Sequence, residues 1–144
     1  MNADPGYQFI DTNILVYAHD SSAGVKHIRA KEIIRGLWEN RFGCLSIQVL
    51  QEFYVTVTQK VTIPMELSLA MDIISDMSHW NIHAPCAGDV LAAIDLQQRY
   101  CISFWDAMIT QSAVQMRCGV IWSQDLQSGQ MYHGVRVVNP FSKG

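Results

Sequence analysis

The sequence predicts an α/β fold with a central, mainly parallel sheet. Short apolar segments alternate along the chain with longer segments in which apolar residues recur at helical spacing. This alternation is typical of a parallel sheet that is covered by helices. With 144 residues, of which 49% are hydrophobic and 16% charged, the chain has the size and composition of one globular domain. We therefore expect residues 1–144 to form a single domain.

The first half of the chain contains two predicted strand and helix pairs. Tyr7–Thr12 is an apolar segment of strand length, and Val25–Asn40 shows helical periodicity. Gly43–Ser46 is predicted as a short strand and Ile47–Lys60 as the next helix. The composition of Ser21–Gly24 is typical of a turn. These elements predict the first repeats of a parallel sheet.

The second half continues the same alternation. Helical periodicity is found in three further segments: Met65–His79, Gly88–Tyr100 and Phe104–Arg117. Short segments of strand length lie between or after them: Asn81–Ala84, Val120–Trp122 and Arg136–Asn139. Since no internal repeat or low-complexity segment interrupts this pattern, the sequence indicates no repeat architecture.

Composition and charge exclude several classes of protein. A net charge of -3 and a pI of about 5.9 are unlike those of a basic nucleic acid-binding domain, so a nucleic acid would have to be held locally. No apolar run approaches the roughly 18 residues of a membrane span, and residues 1–6 do not resemble a signal peptide, so we expect a cytoplasmic protein without membrane contact. The scattered cysteines suggest neither a zinc site nor disulfides, and we expect them to be reduced and mostly buried: Cys44, Cys86, Cys101 and Cys118.

Two acids from opposite ends of the chain are predicted to meet at one edge of the sheet. Asp11 lies at the end of the first strand, and Asp125 comes three residues after Trp122, which ends another. In open α/β sheets, ligands bind outside the carboxyl ends of the strands. Each acid also has a purely structural interpretation, since Asp11 can cap a helix that begins near Asn13 and Asp125 can be a turn residue.

Two further acids are open to two interpretations. Asp106 ends a Ser103–Asp106 segment with the spacing of a capping box, so it can simply open the next helix. Glu52 points away from the main apolar stripe of its helix, which favours a solvated position. The residues beside Glu52 at helical spacing are apolar as well, for example Val49 and Val55. Periodicity therefore leaves the role of Glu52 undecided.

These acids lie in segments that resemble the PIN-domain ribonucleases, and especially their VapC-type toxin branch. The resemblance begins with the segment FIDTNILVYA, residues 9–18. It continues in the same order through four further segments: Leu50–Phe53, Ser103–Ile109, Trp122–Gly129 and Val138–Phe141. The resemblance spans nearly the whole chain, and it implies a PIN-like three-layer α/β/α fold.

The resemblance also implies a catalytic acidic cluster that binds Mg²⁺ or Mn²⁺, formed by Asp11, Glu52, Asp106 and Asp125. It implies three supporting polar residues: Thr12, Asn13 and Ser123. Two carboxylates 4 Å apart repel each other by roughly 4 kcal/mol at an effective dielectric constant near 20, and a divalent ion relieves this repulsion. We expect Asp11 and Asp106 to be the principal direct ligands, with Asp125 next and Glu52 acting through water. Ser123 keeps the hydroxyl of the threonine common in the family, whereas Gln124 stands where an acid is frequent.

The activity that the resemblance implies is hydrolysis of RNA phosphodiester bonds by a metal-dependent endoribonuclease, which leaves a 5′-phosphate and a 3′-hydroxyl. Its implied partners are an RNA substrate, a cognate antitoxin bound over or near the acids, and a second copy of the chain in a homodimer. An alternative is a non-catalytic PIN-like module that binds a partner protein or RNA, because fold and retained residues do not by themselves establish activity. Candidate phosphate contacts lie on one predicted helix, although a solvated helix face explains most of them: Lys26, His27, Arg29, Lys31 and Arg35.

Overall fold

A six-stranded sheet lies at the centre of the computed structural model, which describes residues 4–142, with side chains from residue 6 onward. Its strands are β1 (Asp4–Ile10), β2 (Gly43–Ser46), β3 (Asn81–His83), β4 (Cys118–Trp122), β5 (Met131–Tyr132) and β6 (Val135–Val138). Their order across the sheet is β3-β2-β1-β4-β6-β5, and every neighbouring pair is parallel except β5 and β6. Residues 1–3 and 143–144 of the predicted single domain lie outside the described residues.

The sheet is covered by α-helices on both faces. They are α1 (Thr12–Ala18), α2 (Val25–Asn40), α3 (Ile47–Val55), α4 (Leu67–Met77), α5 (Ala87–Tyr100) and α6 (Phe104–Gln115). A 3₁₀ turn, Ser21–Ala23, precedes α2, and a π-helical turn, Thr56–Lys60, extends α3. None of the helices in the described part of the chain combines the length and hydrophobicity that a membrane span requires.

The strand order explains the three layers. The crossovers from β1 to β2 and from β2 to β3 move toward one edge, whereas the crossover from β3 to β4 moves back past β1. Because such crossovers are right-handed, α1 to α4 cover one face of the sheet and α5 and α6 cover the other. Contacts of α1 with α2 and α3, and of α5 with α6, agree with this arrangement. The predicted three-layer α/β/α fold with a mainly parallel sheet is confirmed.

The core reflects burial of the sheet on both faces. Phe9, Ile10, Leu45 and Ile121 are fully buried, and they lie on the three central strands β1, β2 and β4. Parallel strands that are covered on both faces have continuous apolar runs instead of alternating ones. Phe9 and Ile10 are adjacent in sequence and both are buried, which explains why the strand is apolar up to its last residue.

Most predicted elements are present, and the differences have local causes. The second helix and second strand have the predicted bounds. The first strand ends at Ile10 instead of Thr12, because Asp11 caps α1 and Thr12 is its first residue. β5 was not predicted, since two residues are too few to show periodicity. The expectation of mostly buried cysteines holds for Cys44 and Cys118 but is wrong for Cys86 and Cys101, which are exposed.

Gly43 provides a test of how β2 packs. A Cβ atom at Gly43 would lie 2.5 Å from Cε3 and Cζ3 of Trp80, whose buried ring packs edge-on against Trp38. We expect Gly43→Ala to lower the free energy of unfolding by about 1–3 kcal/mol, the usual effect of overpacking. Gly36→Ala is the control, because nothing lies within 4 Å of that position in α2 and alanine is favoured there by up to about 1 kcal/mol. Urea denaturation that gives both variants the same stability would contradict this account.

Candidate functional site

The structure brings most of the predicted site residues together around one open cavity of about 560 Å³. Those that line it are Asp11, Thr12, Asn13, Glu52, Asp106 and Asp125. Ser123 is fully buried behind them and contacts Asp11. The cavity lies where β1 and β4 end, and the strand order reverses at β1. Ligands of open α/β sheets bind at such switch points. We name this space the acidic cavity.

Asp11 is positioned by both β1 and α1. Its backbone N–H donates to the Trp122 carbonyl oxygen (2.9 Å), which extends the pairing of β1 with β4 by one residue. Its Oδ1 accepts a hydrogen bond from Thr12 N (2.7 Å) at the start of α1, and its Oδ2 accepts one from Ser123 Oγ (2.7 Å). Asp11 therefore caps the helix and also lies in the cavity, so its two interpretations are both correct.

Ser123 connects this carboxylate to the turn that follows β4. Its hydroxyl donates to Asp11 and accepts hydrogen bonds from the backbone N–H groups of Asp125 and Leu126, each at 3.1 Å. Nearby, Asn13 Oδ1 accepts a hydrogen bond from Gln124 N (3.2 Å). These bonds fix the backbone of the turn, and Asp125, although exposed, lines the acidic cavity as a result.

Glu52 lines the acidic cavity, so it is not simply a solvated residue on the outer face of its helix. Its Oε1 accepts a hydrogen bond from Thr12 Oγ1 (2.6 Å), and its Oε2 accepts one from Gln48 Nε2 (3.1 Å). Gln48 also donates to the carbonyl oxygen of Trp105 (3.1 Å), in the first turn of α6. Sequence reasoning missed Gln48, although a residue one helical turn before Glu52 lies on the same face of α3.

Asp106 lies in the first turn of α6, as its capping-box spacing predicted. Its backbone N–H donates to Ser103 Oγ (3.1 Å), the N-cap of the helix. Its half-buried side chain lines the acidic cavity beside Asp125 and Glu52. A carboxylate in the first helical turn is favoured by the helix dipole. A place in the first turn of the helix and a place in the lining of the cavity are therefore compatible for this residue.

The electrostatics of the cavity favour a cation. Burial raises the pKa of Asp11 from the usual 3.8 to about 7, and the charges of Asp125 and Asp106 add to this increase despite the hydrogen bonds from Ser123 and Thr12. Burial also raises the pKa of Asp106, with further contributions from the charges of Asp125 and Glu52. The carboxylates therefore repel one another across the cavity, and a bound cation would lower the free energy of their ionised forms.

The donor set fits a hard divalent ion. Carboxylate oxygens are the ligands that Mg²⁺ and Mn²⁺ prefer, and the hydrogen bonds to Asp11 and Glu52 are of the kind that orient ligands around a metal. Within residues 6–142, no three His, Cys, Asp or Glu side chains are close enough together to hold a metal by themselves. Mg²⁺ usually retains several waters and needs only one or two carboxylates, so this spacing suits an ion that is partly hydrated.

The candidate phosphate contacts of α2 lie away from the acidic cavity, and two of them pack over aromatic rings. The Lys26 ammonium lies over the ring of Tyr17 (5.1 Å), and the Arg29 guanidinium lies over the ring of Trp122 (5.8 Å) and pairs with Glu32 (3.7 Å). None of the basic residues proposed on α2 lines the acidic cavity. A basic residue that does line it is Lys60, which sequence reasoning did not identify.

The fold and this site define a class of protein: three-layer α/β proteins with a carboxylate-lined cavity at the switch point of a parallel sheet. The family model of the PIN domain matches residues 9–132, so the chain belongs to the PIN domain family. This match confirms the family resemblance. None of the curated proteins compared with the chain matches its sequence.

Several solved structures share the fold at low sequence identity. A toxin-antitoxin complex from Klebsiella pneumoniae has a TM-score of 0.67 and 19% identity, with 94% of this chain and 99% of that chain covered. VapC20 of Mycobacterium tuberculosis, a toxin that cleaves the sarcin-ricin loop, has a TM-score of 0.63 and 16% identity, with 82% and 89% covered. DNA-bound VapBC from Salmonella typhimurium has a TM-score of 0.63 and 14% identity, with 91% and 96% covered. At these identities the likeness is one of fold.

The raised pKa of Asp11 makes stability depend on pH. In EDTA, we expect the free energy of unfolding to fall as the pH rises from about 4 to about 7, because the folded state binds a proton at Asp11 more tightly than the unfolded chain does. Asp11→Asn removes this effect, so the stability of the wild type relative to the variant should fall by up to roughly 4 kcal/mol over that range. Asp95→Asn, at an exposed site on α5, should follow the wild type. A wild-type to Asp11→Asn difference that is constant with pH in urea denaturation would contradict the burial effect.

The two hydrogen bonds of Gln48 predict a second effect on stability. Gln48→Leu keeps a similar volume but removes the donors to Glu52 and to the Trp105 carbonyl. Since a hydrogen bond contributes about 0.5–1.5 kcal/mol net and these two are partly buried, we expect a loss of about 1–2 kcal/mol in the free energy of unfolding. Gln51→Leu is the matched control, because Gln51 is exposed on the same helix, and it should change stability by less than about 0.5 kcal/mol. Equal stabilities in urea denaturation would show that the Gln48 bridge does not stabilise the fold.

Proposed function

We propose that the protein is a metal-dependent endoribonuclease of the VapC toxin type. The observation that carries this proposal is that acids from four separate segments of the chain line one cavity at the switch point of the sheet: Asp11, Glu52, Asp106 and Asp125. Each acid taken alone has a structural explanation, but their convergence has none, because the charges of the neighbouring acids add to the rise in pKa that burial causes at Asp11 and Asp106. Membership of the PIN domain family supports the same reaction class.

In this proposal, Asp11 and Asp106 hold Mg²⁺ or Mn²⁺, and Asp125 and Glu52 interact with the ion through its bound waters. Divalent ions bound in such sites polarise the phosphate and lower the pKa of bound water, which supplies the nucleophile for phosphodiester hydrolysis. The protein keeps the carboxylates in place before substrate arrives. Thr12 holds Glu52, and Ser123 holds Asp11.

The surrounding residues limit how the acids can move. Ser123 is fully buried and its hydroxyl makes three hydrogen bonds, one donated and two accepted, so the orientation of Asp11 is coupled to the backbone of the turn that carries Asp125. Gln48 couples Glu52 to the first turn of α6, which carries Asp106. Preorganisation of this kind lowers the reorganisation needed at the moment of reaction.

We propose RNA as the substrate, cleaved in an unpaired loop or single-stranded segment. The acidic cavity opens to solvent at the edge of the sheet, and unpaired nucleotides can reach such a cavity more readily than a duplex. VapC20, which shares the fold, cleaves the sarcin-ricin loop. The 144 residues would act as one domain, in the cytoplasm.

We also propose an antitoxin partner and a homodimer. Two of the structures with this fold contain toxin and antitoxin together. Large apolar side chains are exposed after the π-helical turn, namely Ile63, Leu67, Leu69 and Met71. Two of them, Ile63 and Leu69, line a groove that shares Val16 and Lys60 with the acidic cavity. A basic side chain of the antitoxin would be attracted to the acids. A second exposed apolar surface, at Leu91 and Ile94 of α5, is available for the homodimer.

The proposed activity predicts metal-dependent cleavage of RNA. Purified protein should cleave total cellular RNA with Mg²⁺ or Mn²⁺ and not with EDTA, and end mapping should find 5′-phosphates and 3′-hydroxyls. Asp11→Asn and Asp106→Asn keep the shape of the side chain but remove its charge, so we expect each to lower the cleavage rate by at least about 100-fold. Asp95→Asn, an exposed acid away from the acidic cavity, should cleave at the wild-type rate.

The outcomes separate the two candidate functions. A folded wild type that neither cleaves RNA nor binds Mn²⁺ in calorimetry would contradict the nuclease proposal and favour a non-catalytic interaction module. Cleavage that survives in both acid variants would point to a contaminating nuclease. Mn²⁺ binding that disappears in Asp11→Asn, without cleavage of total RNA, would support the metal site and indicate a substrate missing from the assay.

A further inference from the structure

Among the described residues that line the acidic cavity, Lys60 is the cationic side chain. It also lines a neighbouring groove of about 660 Å³, whose other lining residues include Ser21, Ser22 and Thr62. We name this space the adjacent groove. Val16 lines both spaces as well, so Val16 and Lys60 form the wall between them. A molecule that extends from the acids into the groove would pass Lys60.

The π-helical turn accounts for the position of Lys60. An α-helix advances about 100° per residue, so eight residues after Glu52 an unbroken α-helix would turn Lys60 about 80° away from the face that carries Glu52. In the structure α3 ends at Val55, and Thr56–Lys60 continues as a π-helix. A π-helix has i→i+5 hydrogen bonds and advances less per residue, which offsets part of this rotation. Glu52, Thr56 and Lys60 consequently all line the acidic cavity.

Lys60 is free to bind an external anion. It is exposed, and the ion pairs within 4 Å among the described residues join Arg29 to Glu32 and His83 to Asp89. Lys60 therefore lines the acidic cavity without being neutralised by direct contact with one of its carboxylates. Lys26 and Arg29, by contrast, are packed over aromatic rings.

A nuclease with this acidic cavity needs a cationic side chain beside the carboxylates. The carboxylates repel the phosphates on either side of the scissile bond, whereas a lysine ammonium attracts them and contacts a phosphate without regard to sequence. Hydroxyl groups also make many of the contacts to nucleic acid backbones. The groove beyond Lys60 provides such hydroxyls at Ser21, Ser22 and Thr62.

We infer that Lys60 is a positioning residue that binds a backbone phosphate of the RNA outside the scissile bond, and that the strand continues past it into the adjacent groove. This inference rests on the proposed function. The apolar part of the groove, which includes Val57, Ile63 and Leu69, also suits a protein segment. If the groove served only a protein partner, RNA binding would not depend on Lys60.

The test measures RNA binding without catalysis. A fluorescent single-stranded RNA is titrated with protein in EDTA at several salt concentrations, and Kd is determined from anisotropy. We expect Lys60→Gln to raise Kd by roughly 5- to 20-fold, the effect of losing a charge-assisted contact. The slope of log K against log salt should become shallower by about 0.7, the value for one phosphate of a single strand. Lys60→Arg should restore most of the affinity. Arg99→Gln removes an exposed cation on α5, which lines neither the acidic cavity nor the adjacent groove, and should leave Kd and slope unchanged.

Cleavage kinetics with Mn²⁺ complete the test, and they separate failure of this inference from failure of the proposed function. A rise in KM for Lys60→Gln that exceeds the change in kcat supports positioning. If the wild type cleaves RNA but Lys60→Gln keeps its Kd and salt slope, the inference is wrong and the nuclease proposal stands. A fall in kcat with unchanged Kd and slope would also overturn it, since Lys60 would then act on the acids. A wild type that neither binds nor cleaves RNA would overturn both.

Discussion

The burial of one carboxylate, Asp11, is the constraint on which the rest of the site depends. It lies at the end of the central strand β1 and is 5% exposed. A buried ionised group must be hydrogen-bonded, and Asp11 meets this requirement with Thr12 N on one oxygen and Ser123 Oγ on the other. The same two partners reach the other acids, because Thr12 Oγ1 donates to Glu52 and Ser123 Oγ accepts from Asp125 N. The residues that hold Asp11 therefore also position Glu52 and the turn that carries Asp125.

The charge of the site is compensated only in part by the protein. Hydrogen bonds from Ser123 and Thr12 lower the pKa of Asp11, but burial and the neighbouring acids raise it further, to about 7. Near neutral pH, Asp11 is therefore close to the balance between its ionised and protonated forms, and a cation would favour the ionised form. The burial and mutual repulsion of these carboxylates lower the stability of the folded protein near neutral pH. Such a cost is typical of sites that bind ligands or catalyse reactions.

The sequence predicts those parts of the site that depend on the order of strands and helices along the chain. Asp11 and Asp125 could be placed together because both follow strands of one parallel sheet. The capping spacing of Asp106 located the start of a helix, and the family resemblance placed this acid in the site. The orientation of Glu52 depends on how α3 packs against α1, which sets the distance to Thr12 over 40 residues of sequence. Periodicity along one helix contains no information about that packing. Gln48 and β5 were missed for similar reasons, because their roles depend on contacts with α6 and β6.

The change from α-helix to π-helix after Val55 places an acid, Glu52, and a base, Lys60, on the same wall of the acidic cavity. An acid that helps to hold a cation and a base that attracts phosphate would neutralise each other if they were in contact, and neither could then act on substrate. No ion pair joins Glu52 to Lys60 among the described residues, although both line the same cavity. Two helical turns separate them along the wall, and the π-helical turn adjusts the rotation of Lys60 at that distance. The fold thus keeps the two charges on one surface but apart. The proposed binding of a metal ion near Glu52 and of an RNA phosphate at Lys60 would require this separation.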